Sequence, residues 1–153
     1  MKIKVSDFIV KFFISKGINH VFGYPGGMIT HLMDSLSKNK SEINAHICYH
    51  EQGAAFAACG YAQTSGKPGV VYATSGPGVT NLLTGIANAY YDSIPLIAIV
   101  GQVNTYEQKC NLKVRQKGFQ EMEVCEIVKP ITKYTRMIEN AEDIISELQR
   151  AYM

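Results

Sequence analysis

The residues best placed to do chemistry fall in two blocks. In His50-Glu51-Gln52-Gly53-Ala54-Ala55 a lone acid precedes an alanine-rich run, and in Thr74-Ser75-Gly76-Pro77-Gly78-Val79-Thr80-Asn81 a glycine-rich turn follows an apolar one. An acid that follows a strand and opens a helix lies where ligands gather in open α/β sheets, in the crevice beyond the strand ends. A glycine turn lets backbone approach such a ligand, because glycine has no side chain to hold it off. The pairing points to a cofactor site. Each block also has a plainer reading: a helix-start glutamate favoured by the dipole, and a tight strand-to-helix turn. The turn matches neither GxxxxGK[ST] nor GxGxxG, which argues against a nucleotide phosphate. His50, on the corner between strand and helix, reads as structural rather than catalytic.

Alternating strands and helices must position these groups. Ser6 or Asp7 caps a first helix with Phe8, Ile9, Phe12 and Phe13 at helical spacing, and Gly17 stops it. A short strand over residues 18–22 leads to the loop Gly23-Tyr24-Pro25-Gly26-Gly27 and a helix over 28–36; a strand follows over 44–49. Residues 52–64 form a small-residue helix ended by Ser65-Gly66, and 70–74 a buried strand that feeds the glycine turn and a helix over 79–91. Residues 95–100, a continuous apolar run with β-branched members, predict a central parallel strand with Ile97 and Ile99 buried. The polar stretch 104–117 reads as a long loop with a short helix, 130–134 as an edge strand, and 141–152 as a helix capped by Asn140. Ile144, Ile145, Leu148 and Tyr152 share one face of that last helix. The pattern defines an α/β fold: a doubly wound, mostly parallel sheet of about six strands with helices on both faces.

A chain of 153 residues can form one domain with a core of its own. Its 15 basic and 13 acidic residues give a net charge of +2, without a run fit to track phosphates, which argues against nucleic acid. Cys48, Cys59, Cys110 and Cys125 show no metal-ligand spacing and suit a reduced, cytoplasmic setting. No segment approaches the ~18 apolar residues of a membrane span, and no leader pattern opens the sequence.

The two blocks, taken with Gly23-Tyr24-Pro25-Gly26-Gly27 upstream and Gly118-Phe119-Gln120-Glu121 downstream, resemble in type and order the N-terminal pyrimidine-binding (PYR) domain of thiamine-diphosphate enzymes, most closely the acetolactate synthase-like branch. The resemblance implies that Glu51 hydrogen-bonds N1′ of the aminopyrimidine and is the catalytic residue of the chain. It implies that Tyr24, Pro25, Gly26 and Gly27 present backbone to that ring, and that Thr74, Pro77 and Asn81 line it. Gln120 approaches cofactor and substrate, with Phe119 as an apolar wall; for Gln120 a solvated loop is the alternative. The implied substrate is a 2-oxo acid such as pyruvate.

The same resemblance implies Mg²⁺, held by a pyrophosphate-binding (PP) domain with a Gly-Asp-Gly block that this sequence lacks, so no metal ligands are expected here. FAD stays open. PYR and PP domains meet across a subunit interface, so residues 1–153 are read as a single PYR domain, a fragment or a small subunit, inactive in isolation and part of a homodimer with a PP domain in cis or in another subunit. Between Val103 and Gly118 lie 14 residues, including Lys109, Lys113, Arg115 and Lys117, a longer and more basic connector than the family pattern, which leaves the substrate open. Two alternatives stand beside this reading: a subunit of a split 2-oxo-acid decarboxylase resembling sulfopyruvate decarboxylase, and a non-catalytic α/β interaction module.

Overall fold

The computed structural model describes residues 2–153; Met1, within the expected span 1–153, lies outside the described residues. Four strands form one sheet: β1 (His20–Gly23), β2 (Asn44–Ile47), β3 (Gly69–Ala73) and β4 (Leu96–Val100). Helices α1 (Val5–Ser15), α2 (Thr30–Lys38), α3 (Glu51–Ser65), α4 (Pro77–Tyr91), α5 (Val124–Val128) and α6 (Ile144–Tyr152) accompany them. All pairings are parallel and the spatial order is β2-β1-β3-β4. The α/β architecture with helices on both faces is as expected, on a narrower sheet.

Alternation along β3 divides the interior. Val70 and Tyr72 face α1, α2 and α6, where they pack with Val10, Phe13, Leu36 and Leu148. Val71 and Ala73 face α3 and α4, among Ala54, Ala55, Ala58, Leu82 and Ile86. The small side chains of α3 let it lie close to both α4 and β3, so Ala54, Ala55 and Ala58 are fully enclosed. Gly66, at φ 68°, ends α3 by bonding its N–H to the carbonyl of Ala62, a left-handed cap that glycine adopts at little cost.

Several expectations are corrected. The sheet has four strands rather than about six, and β4 lies at an edge beside β3 rather than in the centre, with Ile97 buried but Ile99 only partly so. The fully buried strand is β3. Residues 130–134 form no strand: a single tight helical turn, Lys129–Ile131, is followed by irregular chain. Helix α1 begins at Val5 with Lys4 in the cap position, while Ser6 and Asp7 lie in its first turn. There they bond Ser35 Oγ, at 2.9 Å from Ser6 Oγ and 2.6 Å from Asp7 Oδ1, which ties α1 to α2. In α6, Ile144 and Leu148 are buried, yet Ile145 is 51% exposed, one residue off the stripe.

Candidate functional site

Strand order locates the cleft before any side chain is considered. From β1 the chain crosses to β2 on one side, and from β3 it crosses to β4 on the other, so the loops leaving β1 and β3 diverge. Ligands in open α/β sheets gather at such a reversal, beyond the strand ends. The loop after β1 carries Tyr24, Pro25, Gly26 and Gly27, the turn after β3 carries Thr74, Ser75 and Gly76, and Glu51 opens α3 just beyond β2.

Thr74 is where these segments meet. Its Oγ1 accepts the backbone N–H of Met28 at 3.3 Å, joining the first loop to the second. A Cβ added to Gly26 would lie 2.4 Å from Thr74 Cβ, and one added to Gly78 would lie 2.8 Å from Thr74 Cγ2 and 3.4 Å from Glu51 Oε1. Both glycines are there because backbone passes within contact of a branched side chain. Gly76 has φ 64°, a conformation that disfavours a side chain, and a Cβ there would lie 2.8 Å from Gln120 Cβ.

Glu51 is 9% exposed, and its Oε2 accepts a bond of 2.9 Å from Asn81 Nδ2, one turn into α4. The Asn81 amide fixes one oxygen of the carboxyl group. His50 caps α3, its Nδ1 accepting the N–H of Gln52 at 3.2 Å. The structure thus brings Glu51, Asn81, Thr74, Gly26 and Gln120 to one place. Tyr24 is 39% exposed, Pro25, Gly27 and Pro77 lie at the exposed rim, and Phe119 is 74% exposed.

Three features were not read from the sequence. Met28 enters through its backbone, which no side-chain motif signals. Ser75 Oγ is fully buried with no bond to any described group, as is Tyr72 Oη on the strand below, where burial pushes the phenol up to about 12. The carboxylate of Glu121 gathers three backbone N–H groups of the connector, which hold its pKa below the usual carboxylate value. A separate cavity of about 290 Å³ lies between the connector and α5, lined by Gln102, Lys109, Cys110, Met122, Cys125 and Met137 among others; Glu51, Thr74 and Asn81 do not line it. Among the described residues, no three His, Cys, Asp or Glu side chains cluster so as to hold a metal ion, and no helix is long and apolar enough to cross a membrane.

Fold and site together define a doubly wound α/β domain with a buried acid at the point where its strand order reverses. The family model "Thiamine pyrophosphate enzyme, N-terminal TPP binding domain" matches residues 3–127. The chain belongs to this family. It is 40% identical over 147 residues to the acetolactate synthase large subunit of Buchnera aphidicola subsp. Acyrthosiphon pisum, covering 96% of this chain and 24% of that protein. The chloroplastic acetolactate synthase of Arabidopsis thaliana is 40% identical over 149 residues, 97% of this chain and 21% of its own length. The large subunit of Lactococcus lactis is 45% identical over 136 residues, covering 89% of this chain and 22% of that protein. The chain therefore spans under a quarter of the length of each of these three relatives.

Proposed function

We propose that this chain is the pyrimidine-binding half of an acetolactate synthase-like enzyme acting on a 2-oxo acid such as pyruvate, with Glu51 holding N1′ of the aminopyrimidine of thiamine diphosphate. The observation that carries this reading is a carboxyl group nine-tenths buried, tethered through one oxygen to Asn81, beside turns whose glycines leave no room for a Cβ. Such a cradle admits the edge of a flat heterocycle more readily than a branched or charged group. When bound, thiamine diphosphate supplies the electron sink for breaking the bond next to the carbonyl of a 2-oxo acid.

The residues divide the work. Asn81 donates to Oε2 and sets the plane of the carboxyl group; Oε1, which accepts from no described side chain, is left to hold or pass a proton. Thr74 spaces the loop after β1 from the turn after β3, so that Tyr24, Pro25, Gly26 and Gly27 offer backbone from one side and Pro77 from the other. Gln120 reaches the same turn from the connector. In this reading residues 1–153 are a single PYR domain, Mg²⁺ and the diphosphate are held by a PP domain in cis or in another subunit, and the assembly is a cytoplasmic homodimer. FAD forms no part of the proposal.

The test is Glu51→Gln in the full-length enzyme. Glutamine keeps an acceptor for Asn81 but cannot give or take the proton, so turnover is expected to fall by a factor on the order of 10² to 10⁴ while cofactor still binds. Undiminished turnover would remove Glu51 from the reaction.

A further inference from the structure

Glu121 follows Gln120, and its carboxylate is where the connector closes on itself. Oε1 accepts the backbone N–H of Lys109 at 2.6 Å; Oε2 accepts those of Lys117 at 2.7 Å and Gly118 at 3.3 Å. Hydrogen bonds to an ionised acceptor are roughly twice as strong as neutral ones, and these three draw both ends of the segment 109–118 onto one side chain. Two side-chain contacts add to the clamp at the same ends, Lys109 Nζ to Glu123 Oε1 at 2.5 Å and Lys117 Nζ to the Tyr106 carbonyl at 2.5 Å, but the residues between have no such anchor. Residues 111–117 are exposed and lack regular structure, and their backbone bonds are local, such as Leu112 N–H to Lys109 O and Val114 N–H to Leu112 O. Gly118 is the point that reaches the interior, where it is packed against Val103.

The same carboxylate governs the next turn. Glu121 N–H donates to Gly118 O at 3.1 Å while Glu121 Oε2 accepts from Gly118 N–H, so residues 118–121 are closed by main chain and side chain together. Within that turn Gln120 has φ 62°, a left-handed conformation uncommon for a residue with a long side chain. An unfavourable backbone state persists where surroundings enforce it. Held there, Gln120 lies directly against Gly76.

We propose that Glu121 is a positioning residue of the candidate site: it shapes the connector from Lys109 to Gly118 and, through the turn it closes, holds Gln120 against the Gly76 turn. The effect on ligand binding rests on the reading of that turn as cofactor-facing; the effect on the connector does not. A solvated loop carboxylate has no need to collect three main-chain donors from two separated points.

The experiment uses the full-length enzyme with Glu121→Ala, Glu121→Gln, Glu121→Asp and, as a control, Gln120→Ala. Limited trypsin digestion, mapped by mass spectrometry, reads cleavage after Lys113 and Arg115, and circular dichroism checks that each variant is folded. Cleavage at these two sites is expected to accelerate at least tenfold in Glu121→Ala and less in Glu121→Gln, whose amide nitrogen replaces one acceptor with a donor. Glu121→Asp, which keeps the carboxylate, should recover part of the protection. The thiamine diphosphate concentration for half-saturation should rise several-fold in both Glu121→Ala and Gln120→Ala. Unchanged cleavage in folded Glu121→Ala overturns the proposal. So does a shift in half-saturation for Gln120→Ala that Glu121→Ala does not share. If neither variant shifts it while cleavage accelerates, the cofactor-facing reading of Gln120 fails and the role of Glu121 at the site is overturned, while its hold on the connector is supported.

Discussion

Gly78→Ala is expected to destabilise the domain by about 1–2 kcal/mol, and Thr74→Ser in the same chain to return most of that loss. The added methyl would sit 2.8 Å from Thr74 Cγ2 and 3.4 Å from Glu51 Oε1. Carbon atoms pack best at about 3.5–4.0 Å, so the first contact is short by roughly 1 Å. Overpacking of this kind costs about 1–3 kcal/mol. Thr74 cannot easily swing aside, being β-branched and bonded through Oγ1 to the Met28 N–H. Alanine recovers at most about 1 kcal/mol of helix propensity over glycine, and less here, because Gly78 is the second residue of α4. For a domain of this size the net loss lowers the midpoint of melting by about 2–8 °C. Serine at position 74 keeps the hydroxyl that Met28 needs and removes the methyl against which the new side chain at position 78 would press. The assay is a double-mutant cycle by chemical denaturation of the unaltered chain, both single variants and the pair, with an expected coupling of about 1–2 kcal/mol. If Gly78→Ala melts at or above the unaltered chain, or Thr74→Ser gives no relief in its presence, the three segments are not packed on Thr74 as described.

Tyr72→Phe removes a buried hydroxyl that bonds to no described group. Urea denaturation should show stability unchanged or raised by up to ~1 kcal/mol, and a clear loss would reveal an acceptor. For Glu121 the sign of the pH effect follows from its cause: backbone N–H groups of Lys117 and Lys109 lower its folded pKa below the ordinary value of 4.5. The clamp's contribution is therefore fully present above pH 4.5 and fades as pH falls through the lower folded value. The amide NMR signals of Lys109, Lys117 and Gly118 should titrate together at that lower pH; midpoints at or above the ordinary glutamate value would contradict the clamp.

Much of the candidate site was legible because it is built from unusual residues in short runs. An acid opening an alanine-rich helix and a glycine turn after an apolar strand constrain backbone and burial locally, so the bounds of α3 and α4 fell within two residues of the expected ones. The capping role of His50 agrees with its place on the corner. The position of β4 was not legible. An apolar run reports what covers the two faces of a strand and says nothing of its lateral neighbours, so Ile97 could be foreseen as buried and the edge could not. Residues 130–134 have strand-forming character but no pairing partner in the sheet, and tertiary context overrides propensity there. The Glu121 clamp depends on main-chain donors up to twelve residues away converging in space, a relation no side-chain pattern encodes.

Because Lys109, Lys117 and Gly118 all bind one carboxylate, the residues between them form a closed excursion whose two ends are pinned side by side. Such an excursion can lengthen with little penalty, since doubling a flexible loop costs only about 0.6 kcal/mol in closure entropy. The residues of this excursion are thus insulated from Gln120. The tip near Lys113 becomes a natural port for an affinity tag, a fluorophore or a tethered domain, installed without disturbing the turn between Gly118 and Glu121.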